Sequence, residues 1–293
     1  MKKATALAIV MLLGAGMRPS GLNAVSAAEK APAVKKICDG APDAEKLGWR
    51  LGCQAYTFRQ WTFFEAVDRT AALGLKVIEA YPGQRVSKEL NVRMQPNMDE
   101  NTVQAVKDKL EAAGVKLVCY GVTGVPAKEE DARKFFQWCK GMGIETIVTE
   151  SDRPFLDELC KELDMTVAFH NHPNSWPPEK VLKACEGKSK RMGACADTGH
   201  WMRRNIKPLD GVKQLKGRIV SFHFKDLNEL GRGHDVPWGT GKGDVKAVLA
   251  ELHSQGFKGV FSIEYEHSFT MEDLAKCVRH FNQCAKEIAA AQK

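Results

Sequence analysis

Residues 143–172 read GIETIVTESDRPFLDELCKELDMTVAFHNH, and this stretch decides the fold. Glu145–Glu150 is a short run rich in β-branched residues, as strands are. Phe155–Glu162 then spaces Phe155, Leu156, Leu159 and Cys160 at helical intervals, and Thr166–His170 is a second strand-like run. Two strands joined through one helix form a βαβ unit, which requires parallel pairing. The alternation continues toward the N-terminus with strands at Lys116–Val122, Lys76–Tyr81 and Leu51–Tyr56, and helices at Glu129–Gly141, Asn101–Ala113 and Phe63–Leu73. Toward the C-terminus it runs through strands at Met192–Asp197, Arg218–Lys225 and Gly259–Glu264. Helices follow at Pro178–Cys185, near Val212, at Val245–Gln255 and at Met271–Ala289. Eight β-then-α units in residues 49–293 predict a single closed (β/α)8 barrel of the α/β class. An open doubly wound sheet loses ground, because Tyr56-Thr57-Phe58-Arg59 stands where a glycine-rich phosphate loop should follow its first strand.

Composition agrees with one globular domain. The chain has 293 residues, 44% hydrophobic and 27% charged, which excludes disorder, collagen and coiled coil. Residues 1–28 predict a cleaved export signal: Met1-Lys2-Lys3, an apolar run from Ala4 to Met17, then small residues at Ala24, Ser26, Ala27 and Ala28. The apolar run is shorter than the ~20 residues that span a bilayer, so no membrane attachment is expected after cleavage. Export places the protein outside the cytoplasm, in the periplasm by expectation. Residues 29–48 lack sustained periodicity and read as an N-terminal arm. The formal charge of +7 owes three units to Lys2, Lys3 and Arg18 of the leader, leaving 40 basic against 36 acidic residues. That balance gives no case for nucleic acid as a partner. The nine cysteines include no Cys-x-x-Cys and no zinc spacing, and they fall inside apolar strands and helices, so small buried hydrophobes are expected.

In a barrel of this kind chemistry sits at the C-terminal ends of the strands. Polar residues gather there: Thr149-Glu150 on strand four, His170-Asn171-His172 on five, Asp197-Thr198-Gly199-His200 on six, His223, Lys225 and Asp226 on seven, Glu264 and Glu266 on eight. Singly, each has a plainer role, as a helix-capping acid, a satisfied buried histidine, a turn residue or a surface ion pair. Together they change the reading, because a carboxylate or imidazole within an apolar strand is costly unless paired or bound to metal. Glu150, Asp197, His223 and Glu264 stand at equivalent ends of strands on one side of the barrel. Three carboxylates and an imidazole make a hard site, suited to Mn²⁺, Mg²⁺ or Co²⁺ acting as a Lewis acid on a sugar carbonyl.

Six segments carry a resemblance over residues 49–293: Val148-Thr-Glu150, Phe169-His-Asn-His172, Ala196-Asp-Thr-Gly-His200, Ser221-Phe-His-Phe-Lys-Asp226, Gly239-Thr-Gly-Lys-Gly-Asp244 and Ser262-Ile-Glu-Tyr-Glu266. In that order they resemble the xylose isomerase-like TIM-barrel superfamily, the sugar phosphate isomerase/epimerase family within it, and also inosose dehydratases. The resemblance implies a metal held by Glu150, Asp197, His223 and Glu264, with Glu150 and Glu264 as the acid/base pair. It implies a catalytic role for His200, meeting substrate hydroxyls or the metal-bound oxygen, and that His172 and Lys225 bind substrate, while His170 and Tyr56 complete the expected sugar-binding set. The implied chemistry is proton abstraction beside a carbonyl, through an enediolate held by positive charge. Export favours a non-phosphorylated small carbohydrate as substrate. The same intermediate admits elimination, so a lyase, dehydratase or hydratase acting on a keto-sugar or 3-keto-glycoside is the alternative. An exported carbohydrate-binding protein, using aromatics such as Tyr56, Trp61, Trp201 and Trp238, is the second.

Overall fold

A computed structural model describes residues 35–291. The predicted export signal lies outside them. The strands are β1 (Arg50–Gln54), β2 (Val77–Ala80), β3 (Lys116–Thr123), β4 (Thr146–Thr149), β5 (Thr166–His170), β6 (Met192–Asp197), β7 (Ile219–Phe224) and β8 (Val260–Ile263). All pair in parallel, in sequence order, and β1 returns to pair with β8, so the sheet closes as a (β/α)8 barrel. The helices are α1 (Pro42–Lys46), α2 (Phe63–Ala72), α3 (Glu100–Ala113), α4 (Glu129–Gly141), α5 (Leu156–Leu163), α6 (Pro178–Ala184), α7 (Thr198–Arg203), α8 (Pro208–Gln214), α9 (Val245–Ser254) and α10 (Met271–Ala290).

The strands are short and buried on both faces because helices cover the outside and side chains fill the inside. One core lies between strands and helices. There Phe222 and Phe261 stack at 4.9 Å, and Phe261 meets Phe281 of α10 at 4.9 Å. Inside the barrel, Val148, Ala168 and Cys195 form a smaller cluster on β4 to β6. Strand side chains alternate with a period of two. Two residues beyond these three come Glu150, His170 and Asp197, so the alternation that fills the barrel also lines its C-terminal mouth.

Two elements differ from expectation. Within residues 35–48 the arm is tied down: Ile37 N–H donates to Ala72 O at 2.8 Å, and Asp43 N–H to Asn282 Oδ1 at 2.7 Å, clasping α1 to α10. Gly74 has φ 72°, and a Cβ there would lie 2.5 Å from Gly40 N, so this packing requires glycine. The second is α7, directly after β6, where the sequence suggested a single helix near Val212. A short helix is legible in neither periodicity nor length, and here it exists because Asp197 caps it: its Oδ1 accepts the N–H of His200 at 2.7 Å. Among the described residues no helix is long and apolar enough to cross a membrane.

Candidate metal centre at the strand ends

Asp197 shows how the local fold builds the site. Capping α7 occupies Oδ1 and leaves Oδ2 facing the barrel axis, 2.7 Å from Lys225 Nζ, 3.5 Å from His170 Nε2 and 3.6 Å from His200 Nε2. Thr198 locks this end to β7 twice, donating from Oγ1 to Lys225 O at 2.7 Å and accepting Lys225 N–H at 2.8 Å. Gly199 is required because a Cβ would fall 2.6 Å from Lys225 Cδ. On the other side Asn171 grips the Asp197 backbone with both ends of its amide, at 3.0 and 2.9 Å. The side chain that sequence reading could have taken for a turn residue therefore has two roles, one per oxygen.

His170, Asp197, His223 and Glu264 are all buried, and each offers a ligand atom within 4.8 Å of the others. A second group, Glu150, His170 and His172, shares His170 with the first. Of the expected quartet, Asp197, His223 and Glu264 come together, and the fourth place is taken by His170 of β5. Glu150 lies on the outer side of His170, 3.7 Å from its Nδ1, and hydrogen-bonds to His172 Nδ1. His172 and His200 flank the mouth, ring centroids 5.1 Å apart. Tyr56 stands on the rim beside β1, edge-on to Tyr81 at 5.2 Å and beneath Arg59, outside the ligand cluster.

Sequence reading missed several partners. Glu79 on β2 is wholly buried; its Oε1 bonds His223 Nε2 at 2.8 Å and its Oε2 accepts from Ser262 Oγ at 2.7 Å. The signal was present: a carboxylate inside the apolar run Val77-Ile-Glu-Ala80, the criterion that selected Glu264. Arg203 on α7 donates to His200 Nδ1 at 3.1 Å and lies 3.5 Å from both Asp235 and Glu266. Asp235 comes from the loop after β7, which no periodicity places near the axis.

These neighbours set the protonation states. With Nδ1 engaged by Arg203, His200 keeps its proton on Nε2, and burial holds its pKa down at about 3, so it is a neutral donor. Burial alone would raise Glu150, but the imidazoles of His170 and His172 beside it bring it to about 2. Glu264 is likewise pushed against burial to well below the usual carboxylate range by Lys225 and His223. Burial works against the Lys225 ammonium, yet Asp197 and Glu264 hold its pKa well above the ordinary value; its Nζ sits 2.7 Å from each and 3.3 Å from Glu266. Asp235 goes the other way, raised by burial to about 6.

The donor set fits a cation. Both ring nitrogens of His170 and Nδ1 of His223 are buried without hydrogen-bond partners. His223 Nε2 is committed to Glu79, which leaves Nδ1, 3.2 Å from Glu264 Oε2, as the nitrogen facing the cluster. A histidine oriented by a carboxylate behind it, with its free nitrogen aimed inward, is the usual setting of a metal-ligating imidazole. Glu79, Glu150, Asp197, Asp235, Glu264 and Glu266 also outweigh the two fixed cations among them, Lys225 and Arg203.

The glycine loop after β7 has a different purpose. The N–H groups of Gly239, Gly241 and Gly243 all donate to the Asp226 carboxylate at 2.9–3.0 Å. The cradle that could have received a phosphate is filled by the chain itself. At the opposite end of the barrel a cavity of about 400 Å³ surrounds the Arg50–Glu145 ion pair, at the N-terminal strand ends where such barrels carry stability.

Comparison with known proteins agrees with this architecture. Residues 143–284 match the model of the family described as xylose isomerase-like TIM barrel. A solved structure of a protein from Parabacteroides distasonis ATCC 8503 is 32% identical, with TM-score 0.67, covering 81% of this chain and 99% of that one. An L-ribulose 3-epimerase shares the fold at 16% identity and TM-score 0.59, covering 83% of this chain and 96% of its own. A xylose isomerase-like TIM-barrel protein from Mycobacterium smegmatis, in complex with magnesium, does so at 11% identity and TM-score 0.65, covering 82% and 97%. No curated protein matches the sequence.

Proposed function

Because this chain belongs to the xylose isomerase-like TIM-barrel superfamily, we propose that it is a divalent-metal-dependent sugar isomerase or epimerase. It moves a proton on the carbon beside a carbonyl, in a non-phosphorylated sugar met outside the cytoplasm. The observation that carries this reading is His170, an imidazole only 2% exposed with neither nitrogen hydrogen-bonded, set between Asp197 and Glu150. Such a group is expensive in a barrel interior unless something binds it. His170, Asp197, His223 and Glu264 would hold the metal. When bound, a divalent ion supplies preorganised positive charge that eases proton loss beside a carbonyl. Two imidazoles and two carboxylates are a softer set than three carboxylates and one imidazole, which favours Mn²⁺ or Co²⁺ over Mg²⁺.

The remaining work belongs to the chain's own groups. Glu79 holds His223 by its Nε2 and so turns Nδ1 toward the cluster, while Glu150, 3.7 Å from His170 Nδ1, puts negative charge behind that ring and leaves Nε2 facing Asp197. Glu150 and Glu264, both held ionised, take and return the substrate proton. His200 offers its Nε2–H to a substrate oxygen, His172 and Tyr56 line the approach, and Lys225 steadies Asp197 and Glu264 between turnovers. The leader sequence supports the extracytoplasmic assignment, and the self-filled glycine cradle supports a substrate without phosphate.

The test is turnover in D₂O. The protein loaded with Mn²⁺ or Co²⁺ is incubated with ketoses, aldoses and keto-glycosides, quenched with EDTA and read by proton NMR. Deuterium entering the carbon beside the carbonyl, with the skeleton retained, is the expected result. An unsaturated or deglycosylated product would move the assignment to a lyase. Absence of exchange in a folded protein that binds no metal would leave only carbohydrate binding.

A further inference from the structure

A second space lies beyond His172 and His200, on the side away from the barrel axis. It is a cleft of about 370 Å³ between the loop after β5, the start of α6 and the segment joining α7 to α8. That volume is within the range of small-molecule sites. Proton transfer at the strand ends has no need of it. Trp201, Ile206 and the prolines of the β5 loop give it an apolar wall, while Asn174, Glu179, Arg204 and Gln214 give it a polar one. Asn174 Oδ1 accepts from Arg204 Nη1 at 3.0 Å, which sets the guanidinium in place and leaves most of its donors free.

The cleft is anchored to the centre. Trp176 stacks flat on Phe169 at 4.1 Å, and its Nε1 donates to the backbone oxygen of Glu150 at 3.0 Å. The residue that fixes the loop therefore also fixes Glu150. His172 and His200 line the cleft on one side and touch the site on the other, His172 through Glu150 and His200 at 3.6 Å from Asp197. An apolar wall facing mixed donors and acceptors matches a sugar ring, with its C–H groups and its hydroxyls that both give and accept hydrogen bonds. Glu179 in the polar wall disfavours a phosphate there.

We propose that this cleft is a subsite for a second sugar ring, so that the substrate is a disaccharide or other glycoside rather than a free monosaccharide. The inference rests on the preceding section for the position of the reacting ring. The experiment measures binding by calorimetry and saturation-transfer NMR, with the Co²⁺ absorption spectrum reporting metal occupancy. The probes are glucose, maltose, cellobiose, trehalose and glucose 6-phosphate. The variants are Arg204→Ala with Gln214→Ala, both exposed and outside the metal centre, and separately Ile206→Trp, which fills the cleft. At least one disaccharide is expected to bind about tenfold or more tightly than glucose. Both variants should erase that advantage while glucose affinity and the Co²⁺ spectrum stay unchanged. Equal affinity for glucose and every disaccharide, with Co²⁺ bound, overturns the subsite and leaves the metal centre standing. Tighter binding of glucose 6-phosphate, lost in the Arg204 variant, overturns it in favour of a phosphate pocket. Loss of both sugar binding and Co²⁺ binding in the wild type defeats the proposed function as well.

Discussion

Lys225 is the side chain on which the residue scale turns. Its ammonium is fully buried and is the shared partner of Asp197, Glu264 and Glu266. Removing one partner of a buried ionic group strands the others. Lys225→Met should therefore lower stability by about 3–5 kcal/mol in EDTA, measured by denaturant unfolding. Mn²⁺ should restore part of the loss, because a cation at the cluster relieves the same carboxylates. An unchanged midpoint would show that the ammonium is not what balances them. Much of this region was legible in the sequence. Asp197, His223 and Glu264 stand out as polar residues inside apolar runs. The split between Glu150 and His170 was not legible: the register that pairs Thr149 with Phe169 sets the two side by side at the strand ends, and which side chain joins the cluster is decided by tertiary packing. Glu79 is legible by the same rule, but its strand lies far in sequence from those of Asp197, His223 and Glu264, and only the closed barrel brings it to His223.

At the scale of elements, the regular units were readable and the irregular ones were not. Strands β5 and β6 and helix α4 carry the bounds that periodicity predicts. Helix α7 escapes because its stability comes from one capping oxygen and from packing against Lys225 rather than from an amphipathic stripe. The loop after β7 could be read as an anion cradle from its glycines, and only the geometry reveals Asp226 inside it. A Cβ on Gly241 would sit 2.2 Å from Asp226 Oδ1 and 2.4 Å from Leu227 O. Gly241→Ala must therefore break at least one of the three N–H hydrogen bonds to that carboxylate, with an expected loss of about 1–3 kcal/mol. Amide hydrogen exchange at Gly239, at position 241 and at Gly243 should rise together in the variant. Protection that stays intact would mean the loop is held by something other than Asp226.

Over the whole molecule, the nine cysteines describe how the barrel is filled. All nine are unpaired and buried. Burial raises the thiols of Cys53, Cys160 and Cys277 to about 12 and that of Cys284 to about 11, far from the thiolate form that reacts. The native protein should show no thiol reactive toward a disulfide reagent, and nine after denaturation. Rapid native labelling would point to opening of the strand–helix layer. The clasp between α1 and α10 joins Asp43 to Asn282, and β1 finds its last partner in β8. Both locks therefore engage only once the final segments of the chain are available. A nascent chain lacking its last two elements has an open sheet edge at β1 and an unclasped arm, and cannot reach its native state early. That ordering works as a timer: the barrel stays open until its last strand and helix are free to close it.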